Sequence, residues 1–240
     1  MISLQKQYMR LRRKLSKYKA HKEEKFAFHG DIELKKTVIL LSIATTEFIE
    51  TGTYLGHSTD YIASLFPTKK IYTCEVNTEY FNKAKDNLSI YNNVNLSNLP
   101  SPTFLKGLFS KNKVNEKSLF FLDAHWELPW PLKDELSVIS NSIKKAVIII
   151  DDFKIKGLLR FGYDAYENQE CCLDYIKQYL SNLNNYDILY PAYKQNQAFD
   201  HQPHGDLRGY AIIFQNMRQE FEFIYQLISK AYVFENSKIN

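Results

Sequence analysis

Two periods of apolar residues alternate along this chain. Leu4, Tyr8, Leu11, Leu15 and Tyr18 recur at alternating steps of four and three, which places them on one face of a helix over residues 2–25. Gly30-Asp31 opens a second helix over roughly 32–44, with Leu34, Val38, Leu41 and Ala44 at helical spacing. Short apolar runs then predict strands at 47–50, 70–75, 93–96, 118–123, 146–151, 187–190 and 209–214. Helices are predicted between and after them, near 58–66, 78–91 (capped by Asn77), 103–110, 131–144, 168–183 and 217–232. Ala146-Val-Ile-Ile-Ile150 is apolar at every position, as a strand buried on both faces should be. Strands that alternate with helices imply right-handed crossovers and an α/β fold with helices on both faces of a mainly parallel sheet. A loop rather than a helix joins the last two strands, so they are expected to pair antiparallel at the sheet edge. The expectation is seven strands in a single domain over residues 31–240, preceded by a basic helical extension over 1–30.

Composition adds little to the fold and something to location. The chain of 240 residues can bury a full core. Its net charge of +4 is unevenly placed: residues 1–25 carry nine Lys or Arg against Glu23 and Glu24, a net of +7, which leaves the remainder at −3. The basicity therefore belongs to the first helix. It suits packing on a second copy of the chain, or contact with an anionic membrane surface or nucleic acid. Cys74, Cys171 and Cys172 have no metal-ligand spacing, which points to reduced thiols and a cytoplasmic protein. The first residues are too charged for a secretory signal, and no apolar run reaches the ~18 residues of a membrane span.

The candidate chemistry lies at the strand ends. Phe48-Ile-Glu-Thr-Gly-Thr-Tyr-Leu-Gly56 reads as strand, glycine turn and helix start, an arrangement that offers free N–H donors and a positive dipole end to a nucleotide-like ligand. Glu50 precedes the first glycine, Gly52, and Gly56 follows four residues later. Glu75 ends the next strand, where an acid accepts hydrogen bonds from ribose hydroxyls. Asp123-Ala-His125 ends the fourth strand and Asp151-Asp152 the fifth. In such sheets ligands bind beyond the carboxyl ends of the strands, and carboxylates gathered there repel one another unless cations or ligand hydroxyls separate them.

This order, Glu50-x-Gly52-x-x-x-Gly56, then Glu75, then Asp123, with an antiparallel final hairpin, resembles the class I S-adenosylmethionine-dependent methyltransferases over about residues 31–215. The fold implied is a Rossmann-like seven-stranded, mainly parallel sheet with an antiparallel last strand. The turn departs from the commonest pattern at Tyr54, where many members have a further glycine. The resemblance implies that Glu50 and Gly52 border the methionine part of the cofactor, with Thr53, Tyr54, Gly56 and Ser58 in the same loop. It implies that Glu75 holds the ribose, that Asn98 flanks adenine, and that Asp123 completes the cofactor site. Asp123-x-His125 with Asp151-Asp152 also looks like the metal-dependent sugar O-methyltransferases of the macrocin type, with His125 in place of the second Asp of the first pair. The implied metal set is Asp123, His125, Asp151 and Asp152, holding Mg or Mn. The structural alternative is that Asp123 and His125 shape the pocket while Asp151-Asp152 caps a loop.

His201 and His204 lie on the polar loop before the last strand. His204, with Asp123 and His125, is a candidate for the catalytic set. The function expected is O-methylation of a small hydroxylated acceptor such as a sugar or glycan. A nucleic-acid methyltransferase using the basic helix is the first competitor. The run Asp123-Ala-His-Trp126 lacks the Asn/Asp-Pro-Pro-Tyr/Phe tetrapeptide with which amino-methylating enzymes grip a base. A non-catalytic cofactor-fold or assembly protein, its first helix paired with another chain, is the second.

Overall fold

A computed structural model of the chain describes residues 6, 9, 10, 24–125, 128–180, 186–199, 207–228 and 232–236. Lys6, Met9 and Arg10 are helical; the rest of the expected helix over 2–25, up to the turn at Glu24–Gly30, lies outside the described residues, as do Trp126, His201, His204 and Asp206.

Five strands run parallel: β1 (Glu47–Thr51), β2 (Lys70–Cys74), β3 (Val94–Ser97), β4 (Ser118–Leu122) and β5 (Ala146–Ile150). A two-stranded hairpin follows, β6 (Ala165–Tyr166) with β7 (Gln169–Glu170), outside the main sheet. The main sheet is completed by β8 (Tyr186–Pro191), β9 (Ala211–Gln215) and β10 (Tyr232–Asn236), in the order β10-β8-β9-β5-β4-β1-β2-β3. The strand β9 inserts antiparallel between β5 and β8. The seven expected strands are present, with the last of them antiparallel to its neighbours. An eighth, β10, lies antiparallel on β8 and takes the edge. The segment expected to continue as helix to 232 stops at Ile228, and the chain turns into this strand.

Every residue of β1, β4, β5 and β9 is buried, because both sheet faces are covered. Truncating one of the central β5 isoleucines to Ala would cost about 2–5 kcal/mol. The helices Ser101–Ser110, Leu132–Ser142 and Leu173–Leu180 pack successively on one another, and the helix Ile32–Ala44 packs with Arg218–Ile228. Asp31 caps the helix Ile32–Ala44 by accepting from the N–H groups of Glu33 and Leu34 at 2.9 and 3.0 Å. Tyr193 donates to its other oxygen at 2.5 Å, which ties the helix start to the chain after β8. No helix among the described residues is long and apolar enough to cross a membrane.

One short segment steers the N-terminal extension across the sheet. Within Glu24–Gly30, Ala27 is extended while Phe28 and His29 both adopt left-handed backbone, at φ +50° and +54°. Such conformations cost a non-glycine residue of order 1 kcal/mol or more, and persist where packing dictates them. Here packing does: Phe28 is buried edge-on against Tyr61 and Phe121, and its N–H donates to Ser58 Oγ at 3.0 Å. His29 is thereby delivered to the end of β5.

Candidate active site

The carboxyl ends of β1, β2, β4 and β5 meet at one edge. The turn after β1 approaches β4 so closely that a Cβ at Gly52, whose φ is +82°, would overlap the Asp123 carbonyl oxygen. Gly52 and Thr53 both donate their N–H groups to the Cys74 carbonyl, at 3.0 and 3.1 Å. Gly56, at φ +86°, begins the helix His57–Leu65, and its Cα faces Leu88. Tyr54, though not a glycine, takes the left-handed backbone at φ +50°. Its ring, 42% exposed, meets Tyr80 edge-on at 4.6 Å.

Glu75 holds this loop. Its Oε2 accepts the Tyr54 N–H at 2.8 Å and its Oε1 accepts the Asn77 N–H at 2.9 Å. Each carboxylate oxygen has a second lone pair for a ligand hydroxyl. Asn98 is exposed, and its amide donates back to the Glu75 and Val76 carbonyls at 2.7 and 3.1 Å, so it braces the β2 end. Glu50 is buried and accepts from the hydroxyls of Thr59 and Thr73. Burial pushes its carboxyl up to about 7, against the pull of those two hydroxyls, and nearby Glu75 adds to the rise. Ser58 accepts from the Phe28 backbone, which seats the N-terminal crossing beside the glycine turn.

The second group lies under β4 and β5. Burial, then the charges of Asp151 and Asp152, raise the Asp123 carboxyl well above the carboxylate range. Asp151 is fully buried; burial pushes its carboxyl up, but the charge and hydrogen bond of His29 outweigh this and hold it below the usual range. His29 Nε2 lies 2.9 Å from Asp151 Oδ2. Burial opposes a proton on His29, while Asp151, then Asp123 and Asp152, lift its pKa to about 10. With 41% of the ring side chain exposed, water screens part of that pull. Asp152, at φ +50°, pairs with Arg208 Nε, and Arg208 also reaches Asp164 at 2.5 Å. Arg208 thus ties the β5 end to the segment leading into the β6–β7 hairpin.

His125 is placed differently from the expected metal set. Its Nε2 is 2.9 Å from the Asp151 backbone carbonyl, and its Nδ1 is buried with no hydrogen-bond partner among the described residues. The imidazole that converges with the acids is His29: ligand atoms of His29, Asp151 and Asp152 lie within 4.8 Å of one another. One ring nitrogen and carboxylate oxygens form a donor set that fits a divalent cation, with preference shifted from magnesium towards manganese or iron. His204 lies outside the described residues. Lys154 pairs with Glu170 at 2.6 Å, and Arg160 donates to the Tyr193 and Ala192 carbonyls, so both brace loops. Trp130 meets Tyr166 and Tyr175 edge-on, linking the β4 loop to the hairpin.

Sequence reasoning missed His29, Thr59, Thr73 and Asp164. A strand-end pair of adjacent aspartates requires counter-charges, which is the one signal that could have prompted a search for His29. Thr59 and Thr73 carry no motif and act only through Glu50.

No protein-family model and no curated protein matches the sequence. Solved structures do. The O-methyltransferase TomG from Streptomyces achromogenes, involved in tomaymycin synthesis and solved in complex with S-adenosylmethionine, aligns at TM-score 0.55 and 13% identity, over 76% of this chain and 78% of that one. An O-methyltransferase from Bacillus cereus, solved with S-adenosylhomocysteine, aligns at TM-score 0.52 and 14% identity, over 90% of this chain and 92% of that one. The chain has the fold of the class I S-adenosylmethionine-dependent O-methyltransferases.

Proposed function

We propose that the protein is an enzyme that transfers the methyl group of S-adenosylmethionine to a hydroxyl oxygen of a small acceptor, such as a sugar or the end of a glycan. The observation that carries this reading is the Glu75 carboxylate, fixed by two backbone amides at the end of β2 and facing the left-handed turn at Gly52–Tyr54. A preorganised carboxylate there suits a pair of ribose hydroxyls. Glu50 and Asp123 stand at the adjoining strand ends, beside the turn where the methionine part of the cofactor would lie.

In the reaction the acceptor oxygen forms a bond to the methyl carbon as the carbon–sulfur bond breaks, the electron pair leaves on sulfur to give S-adenosylhomocysteine, and the hydroxyl proton passes to water. In-line placement is the main requirement of such a displacement. The acids at the ends of β4 and β5, Asp123, Asp151 and Asp152, would hold a divalent cation, which when bound lowers the pKa of an acceptor hydroxyl and orients its oxygen.

Calorimetry with S-adenosylmethionine and S-adenosylhomocysteine tests the cofactor. Micromolar binding that collapses in Glu75→Ala supports the reading; unchanged affinity in both Glu75→Ala and Glu50→Ala would sink it. Transfer of labelled methyl groups to a panel of sugars and glycans, read by mass spectrometry, tests the acceptor class.

A further inference from the structure

We propose that His29 is the imidazole ligand of the divalent-cation site at the end of β5, in the place that spacing along the chain would give to His125. The inference rests on the metal-assisted form of the function above. His29 Nε2 is 2.9 Å from Asp151 Oδ2, and its ring nitrogen and the carboxylates of Asp151 and Asp152 converge within 4.8 Å. The competing imidazole, His125, lies outside this converging group: its Nε2 is 2.9 Å from the Asp151 main-chain carbonyl, and its buried Nδ1 has no hydrogen-bond partner among the described residues.

Three further features bear on the site. The Asp123 side chain stands beside the group, close enough to interact with Asp151, Asp152 and His29. Four acids, Asp123, Asp151, Asp152 and Asp164, gather around His29 and Arg208, with His125 also close to Asp151 and Asp164. The backbone that carries His29 is anchored one residue earlier by Phe28, which is packed against Phe121 and Tyr61, while 41% of the His29 side chain remains open to solvent. A ligand fixed by packing and reachable from water is what a preorganised metal site needs. The mixed nitrogen and oxygen donors favour Mn2+ over Mg2+.

Mn2+ alone is the probe, followed by electron paramagnetic resonance on the full chain, with S-adenosylhomocysteine affinity measured on the same samples. Wild-type protein should bind Mn2+ and show a nitrogen coupling from one imidazole in the electron-spin-echo spectrum. His29→Gln, which keeps a hydrogen-bonding group beside Asp151, should abolish that coupling and weaken Mn2+ binding by roughly 10-fold or more. A coupling that survives in His29→Gln and disappears in His125→Gln overturns the assignment and leaves the metal reading standing. Absence of Mn2+ binding by wild-type protein overturns both, and S-adenosylhomocysteine affinity then reports separately on the methyltransferase reading. Thermal melts of His29→Gln and His29→Ala show whether either variant is folded; if both are unfolded, nitrogen hyperfine constants of wild-type protein labelled with 15N-histidine, alone and with His125→Gln, decide which ring binds.

Discussion

Tyr54 donates its main-chain N–H to Glu75 Oε2 at 2.8 Å, so the acid expected to grip the ribose also closes the glycine turn. One side chain therefore shapes the loop and faces the ligand. Glu75→Gln keeps the volume but loses the charge and one acceptor. Its affinity for S-adenosylmethionine is expected to fall by about 10- to 100-fold, the equivalent of one or two charge-assisted hydrogen bonds. Calorimetry checks this, and a variant that binds as tightly as wild type would remove Glu75 from the site.

Gly52→Ala carries a steric and a conformational penalty together. The new methyl group overlaps the Asp123 carbonyl oxygen, and φ of +82° disfavours any side chain. A loss on the order of 3 kcal/mol is expected in urea unfolding, together with loss of cofactor binding. A variant of wild-type stability would mean that β1 and β4 are not so closely apposed.

Glu50 gives the pH dependence a definite sign. Its carboxyl sits at about 7 in the folded chain against 4.5 for the ordinary group, so the folded state binds more protons between those values. Stability from this group is present at low pH and is lost as pH rises from about 4.5 to about 7. Glu50→Gln stays neutral and should remove that fall, with the gap between variant and wild type changing by on the order of 3 kcal/mol across the window. Parallel unfolding profiles from pH 4.5 to 7.5 would contradict the assignment.

Arg208 is the shared partner of Asp152 and Asp164. Removing it takes the paired guanidinium away from two partly buried carboxylates. Arg208→Gln is expected to lower stability by about 1–3 kcal/mol, and Asp152→Asn in the same chain should recover part of that loss. Additive effects in the double-mutant cycle would show that the pair is not coupled.

Much of the fold can be read along the chain because its signals are local. Asp31 and Asn77 mark helix starts by their side-chain caps, and the all-apolar β5 marks the centre of the sheet. The hairpin β6–β7 cannot be read this way, since two-residue strands have no period. The strand β10 is hidden because the apolar residues before it continue a helical pattern. The site divides along the same line. Acids at strand ends announce themselves, but side-chain direction beyond a strand end does not. Asp123 and His125 are two residues apart and would share a face inside a strand, yet β4 ends at Leu122 and the period of two no longer applies. His29 reaches the site through two successive left-handed residues, which nothing in Phe28 or His29 advertises.

The strand β10 bears on solubility. It hydrogen-bonds along β8 from Tyr186's neighbour Asp187 to Pro191, covering a row of main-chain groups in a strand that carries Ile188, Leu189 and Tyr190. At the opposite end of the sheet, β3 is only four residues long and alternates Asn95 and Ser97 with its apolar positions, a poor template for another chain. The two margins are thus protected by different means, one by the chain's own last segment and the other by brevity and polarity. A protein cut before residue 232 would bare the β8 margin, and self-association there, strand to strand, would be the consequence.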